Sequence, residues 1–163
     1  SQNSPFHPIY DAWKAGSREI LPMDEDHARR CVNIMDAKVL SNRKPPYSIV
    51  GGLFDALKDT NGDVFIVSNE ESRCASRLFK DVEGIDIHPA AAVAVASLSK
   101  EVAAGKIHAN DLIMLNITGG GEELFKVEKS LFYLKPDYIF EIAPSIAEVE
   151  SVLNDLFSSV EVV

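Results

Sequence analysis

Cysteine is scarce in this chain, long apolar runs are missing and basic charge is in deficit, and each shortage removes a class of protein. The longest unbroken apolar run is Ala90–Ala96, AAAVAVA, far short of the roughly 20 residues a membrane-spanning helix needs. Two cysteines, Cys31 and Cys74, stand far apart with no CxxC spacing and no histidine ladder beside them. They read as buried free thiols rather than as a disulfide or a metal pair. Sixteen Lys and Arg against 25 Asp and Glu leave a formal charge of −9, which argues against a broad nucleic-acid or anionic-membrane surface. The common signatures of dinucleotide, nucleotide, zinc-protease and serine-hydrolase sites (GxGxxG, GxxxxGKS/T, HExxH, GxSxG) are absent too. No basic-plus-apolar leader opens the chain, so the expectation is a cytoplasmic protein.

The 163 residues suit a single α/β domain spanning 1–163. Its organising stretch is Asp111–Leu124, DLIMLNITGGGEEL. Leu112–Ile117 is too apolar for a half-exposed strand and reads as one covered on both faces, which places Thr118 and Gly119–Gly121 at its carboxyl end. Ligands bind at that edge of open α/β sheets, and glycine lets backbone come close to them.

Punctuation along the rest of the chain predicts helices at Pro8–Ala15, from Asp24 through DEDHARRCVNIM, at Pro46–Lys58 and at Asn69–Val82, the last opened by a Ser68/Glu71 capping box. A helix from Pro89 stops at Gly105, and another covers Pro144–Phe157. Strands are expected at Asp63–Val67, near Leu131–Leu134 and at Tyr138–Phe140. Strand-helix alternation with short connectors implies an open, mostly parallel sheet flanked by helices in three layers.

Local positive charge sits in the N-terminal third, at Arg18, Arg29, Arg30, Lys38, Arg43 and Lys44, whereas Asp137 onward carries acids and no base. The turn Ser41-Asn42-Arg43-Lys44 is either an exposed basic loop or a substrate-side loop whose Arg43 or Lys44 holds phosphate or sulfite. His88 is either a substrate contact or proton carrier, or simply the residue that fixes a helix entry before Pro89. His7, His27 and His108 read as surface or capping residues. Asp24-Glu25-Asp26 reads as a dipole-stabilised helix start, so no metal is assigned.

Four segments in order carry a resemblance: Val39-Leu40-Ser41-Asn42-Arg43, Val67-Ser68-Asn69-Glu70-Glu71, His88-Pro89-Ala90-Ala91-Ala92 and Thr118-Gly119-Gly120-Gly121. Together they resemble the C-terminal half of threonine synthase-like, fold-type-II pyridoxal-phosphate enzymes. With His88 in place of the usual Glu, the Arg43-Lys44 pair in place of a neutral loop and the opening Ser1-Gln2-Asn3-Ser4-Pro5-Phe6, the chain looks most similar to the archaeal cysteate synthase branch. The resemblance implies pyridoxal phosphate as cofactor, held by Thr118, Gly119 and Gly120, with the Thr118 hydroxyl facing the pyridine nitrogen. It implies substrate contacts from Ser41, Asn42, Arg43, Lys44 and His88. It also implies conversion of O-phosphoserine and sulfite to cysteate and phosphate in coenzyme M biosynthesis, by a homo-oligomeric parent. Threonine synthase, acting on O-phosphohomoserine, is the alternative within the family, and a non-enzymatic module binding small anions is the alternative outside it. No lysine here matches the family's Schiff-base lysine: Lys38, Lys44 and Lys58 lie in other motifs. With Ser1 rather than Met at its start, the chain is therefore expected to be the C-terminal part of a longer enzyme and inactive alone.

Overall fold

A computed structural model of the chain describes residues 1–131 and 134–158. The described residues fall in two compact units, one spanning Ser1–Lys129 and one lying within Ser130–Val163.

In the first unit, strand β1 (Gln2–Asn3) precedes helix α1 (Pro8–Lys14), which stops at Gly16 in the left-handed conformation. Helix α2 (Glu25–Ile34) starts where Asp24 accepts a hydrogen bond from the His27 amide through its side chain. A 3-10 turn (Lys38–Leu40) and helix α3 (Leu53–Asp59) follow. Strand β2 (Ile66–Val67) pairs in parallel with β1, Gln2 opposite Ile66 and Asn3 opposite Val67. It leads into helix α4 (Asn69–Glu83), where the Ser68/Glu71 capping box is fully formed and Gly84 closes the helix at φ 74°. Helix α5 (Pro89–Ala103) and helix α6 (Glu122–Lys129) complete the unit. The second unit contains helix α7 (Ile146–Phe157), capped by the Ser145 hydroxyl on the Glu148 amide. No helix among the described residues is long and apolar enough to cross a membrane.

The main core lies where α5 packs on α4 and β2. Ala91, Ala92, Val93, Val95 and Ala96 are buried there with Val67, Ala75 and Ile87. Small side chains on α5 let it approach closely, and burying Val93 alone contributes about 2 kcal/mol. A second cluster gathers Phe6, Ala28, Cys31 and Met35, and a third gathers Ala12, Tyr47 and Phe54. Asn3, fully buried, ties these parts together. Its side-chain amide donates to the Val67 carbonyl at 2.9 Å, and its side-chain oxygen accepts from the Ala37 amide at 2.9 Å.

Several expectations are corrected. The architecture is mixed α and β but mostly helical. In place of an open three-layer sheet, the described residues hold one two-stranded parallel sheet, so Asp63–Val67 contributes only Ile66–Val67. Leu112–Ile117 is not a strand, because no described strand lies alongside it to take up its backbone groups; Leu112 and Met114 are almost fully exposed. Only Leu115 of this run packs against the main core. Tyr138–Phe140 lacks a partner strand in the same way. Of the strand expected at Leu131–Leu134, Phe132 and Tyr133 lie outside the described residues.

The helix expected from Pro46 begins only at Leu53. Gly51 adopts φ 72°, outside the right-handed helical region, and Pro46–Gly52 folds back so that the Leu53 amide reaches the Pro46 carbonyl. The last helix likewise starts at Ile146 rather than Pro144, since Ser145 takes the cap. Of the two free cysteines Cys31 is buried as expected, whereas Cys74 is exposed.

Candidate functional site

The site is built on a junction between the link preceding α5 and the glycine turn preceding α6. Ile87 and Gly120 form an antiparallel bridge, and the His88 amide donates to the Gly119 carbonyl at 2.9 Å. One residue earlier, the Asp86 carbonyl accepts from the Gly121 amide at 2.7 Å. The Asp86 carboxylate accepts from the amides of Glu122 and Glu123 at 3.1 and 3.2 Å. It thereby supplies the N-terminal cap that the α6 sequence lacks within itself.

These contacts explain the glycines. A Cβ on Gly120 would sit 2.3 Å from the Asp86 carbonyl oxygen, and one on Gly119 would sit 2.6 Å from the His88 ring Nδ1. The close approach therefore occurs within the chain, between Gly119–Gly120 and Asp86–His88.

His88 is half exposed but held at two points. It stands at the N-cap of α5 without capping it by its side chain. Its ring packs on Gly119, and its Nε2 lies 2.8 Å from Glu122 Oε1. The other oxygen of Glu122 accepts from Lys126 at 3.1 Å. The Lys126 ammonium, and next the His88 ring, hold the Glu122 carboxyl below its ordinary pKa.

Beside this junction a cleft of about 500 Å³ is lined by Asp36, Ala37, Lys38, Val39, His88, Pro89, Ala90, Thr118 and Glu122. Two of the expected site residues, Thr118 and His88, meet here. Opposite them stands a segment that is firmly held. Asn3 binds the Ala37 amide, the Asn69 side chain accepts from the Asp36 amide at 3.0 Å and donates to the Ile34 carbonyl at 2.8 Å, and Arg73 grips the Asp36 carboxylate through two bonds of 2.6 and 2.8 Å. The cleft thus has both walls anchored to the core before any ligand enters.

Ser41 and Arg43 do not reach this cleft. They line a separate depression of about 180 Å³ with Arg29, Val32 and Asn33, and Arg43 pairs with Glu25. Asn42 turns its side chain to accept from the Lys44 amide at 2.9 Å, and both residues are exposed. Sequence reasoning grouped Ser41–Lys44 with the glycine turn and missed Asp36, Lys38, Val39 and Glu122. The Lys38–Leu40 turn separates the two places by sending the chain away from the cleft at Ser41, and turn geometry of that kind leaves no sequence motif. One signal was present: an acid next to the glycine turn, Glu122, with a cation four residues on, Lys126, is a helix-start pattern.

Comparison with known proteins assigns this arrangement a relative. The chain is 48% identical over 150 residues to the cysteate synthase of Methanosarcina mazei, which covers 91% of this chain and 35% of that protein. The chain is similar to a segment of cysteate synthase. The cysteate synthase of Methanosarcina acetivorans is 49% identical over 138 residues, 84% of this chain and 33% of its own length. That of Methanocella arvoryzae is 41% identical over 155 residues, 94% of this chain and 36% of its own length. The chain therefore spans about a third of the length of the cysteate synthases it matches. No family model matches it.

Proposed function

We propose that this chain forms part of a pyridoxal-phosphate-dependent enzyme of the cysteate synthase type, which converts O-phosphoserine and sulfite to cysteate and inorganic phosphate. In that reaction the Cβ–O bond to phosphate breaks and a Cβ–S bond to sulfite forms. The likeness to cysteate synthases along most of the chain carries the reading.

The residues present fit such a cofactor at one point of attachment. Thr118 lines the cleft, and its hydroxyl has no hydrogen-bond partner among the described residues. A neutral hydroxyl there would donate to the pyridine nitrogen, while Gly119 and Gly120, locked to Asp86–His88, hold Thr118 in place. Bound pyridoxal phosphate supplies an electron sink for cleavage at the β carbon. The chain's own contribution is orientation: Thr118 would hold the ring nitrogen, and the Asp36–Val39 segment lines the same cleft. A threonine partner would leave the ring nitrogen largely unprotonated, which would suit elimination and addition better than full protonation by an aspartic acid. In the whole protein the Leu112–Ile117 run serves as a covered strand of an open, mostly parallel sheet. The lysine that carries the cofactor comes from outside this chain.

The deciding experiment uses the full-length protein containing this chain. O-phosphoserine with and without sulfite, and O-phosphohomoserine, are each supplied while released phosphate and the amino-acid product are measured. Cysteate formed only with phosphoserine and sulfite is the expected result. Threonine from phosphohomoserine would move the assignment to threonine synthase, and no turnover with either would favour a non-enzymatic anion-binding module. In parallel, Thr118→Val is expected to shift the absorption spectrum of the bound cofactor; an unchanged spectrum counts against Thr118 as its partner.

A further inference from the structure

Charge around the cleft is unevenly matched. Asp36 is neutralised by the two-pronged contact with Arg73, and Glu122 is shared between Lys126 and His88. The His88 ring is committed to Glu122 and packed against Gly119. Lys38 alone lines the cleft as a cation with no ion pair or side-chain hydrogen bond among the described residues. In a chain with net charge −9, an ammonium left unmatched beside two satisfied carboxylates creates a local attraction for anions. The backbone around it is fixed by Asn3 through Ala37 and by Asn69 through Asp36, so little further ordering of the segment is needed when an anion binds.

The geometry points to Lys38 as the anion-binding residue of the Thr118 cleft, holding a small oxyanion, sulfite or inorganic phosphate, by charge-assisted hydrogen bonds from its ammonium. The inference rests on the functional reading above only for the identity of the anions. It also moves the substrate-anion role away from Arg43, whose guanidinium faces Glu25 in a separate depression.

Sodium sulfite and, separately, sodium phosphate are titrated calorimetrically into this chain without pyridoxal phosphate, using wild type, Lys38→Gln, Lys38→Arg and Arg43→Gln. Circular dichroism establishes that each variant is folded. Lys38→Gln is expected to weaken binding by about tenfold, the effect of losing one charge-assisted contact. Lys38→Arg is expected to restore most of it, and Arg43→Gln to change it by less than about twofold. Binding of phosphate but not sulfite upholds the site and assigns it to the leaving group; the converse assigns it to the nucleophile. Three results overturn the inference: no binding by wild type, unchanged binding by Lys38→Gln, or a larger loss with Arg43→Gln. Because no cofactor is present, these failures leave the Thr118 spectrum and the product assay to judge the enzymatic reading separately.

Discussion

Helix α5 and the run Leu112–Ile117 are the two most apolar stretches of the first unit, and they meet opposite fates. In α5, Ala91, Ala92 and Val93 are at most 1% exposed because α4 and β2 cover them. In the run, Leu112 and Met114 face solvent and Leu115 alone reaches the core. Composition states how much a segment gains from burial; neighbours decide whether it is buried. Contiguous exposed apolar surface of this kind marks a place where another surface belongs. It also fits a chain that spans a third of the length of its relatives.

The sharpest way to break the comparison is to attack the junction that keeps the buried side in order. Gly120→Ala places a methyl against the Asp86 carbonyl, a backbone atom that cannot turn aside. A loss of about 3 kcal/mol in urea unfolding is expected; a loss under about 1 kcal/mol would mean the junction opens in solution. Next comes Asn3→Ala, which strands the Ala37 amide in a buried place and removes one of the two hydrogen bonds to the Val67 carbonyl. It should lower stability by about 2 kcal/mol. The smallest effect belongs to Met114→Ser, expected to stay within about 0.5 kcal/mol in this chain because the side chain is 95% exposed. The same substitution in the full-length protein is expected to destabilise by more. Equal effects in both would show that the run has no cover there either.

Local chemistry in the sequence was largely legible. The Asp24 cap, the Ser68/Glu71 capping box, and the stops at Gly16, Gly84 and Gly105 depend on residues a few positions apart, and all are present. The helix start expected at Pro46 failed for an equally local reason, since the Gly51-Gly52 pair intervenes and Gly51 takes a left-handed φ, and the start expected at Pro144 gave way to the Ser145 cap. What lay beyond reach was set by distant partners. The strand character of Leu112–Ile117 needs edges to pair with. The meeting of Thr118 with His88 depends on the Ile87–Gly120 bridge, and that of both with Lys38 on Asn3 and Asn69 binding across 34 and 33 positions. The atoms that crowd Gly119 and Gly120 belong to His88 and Asp86, distant residues to which no local pattern in the glycine turn points.

Asp86 has a last consequence. By binding the first amides of α6, it makes neighbours of two points 36 positions apart and closes the intervening chain into a ring without a covalent bond. Inside that ring run α5, the Lys106–Asn110 connection and the apolar run. The placement of Thr118 relative to His88 is fixed at the clasp, not by the path around the ring. Closing a slightly longer loop costs little more than closing the present one. An insertion at Lys106–Asn110 is therefore expected to leave the spacing across the cleft unchanged.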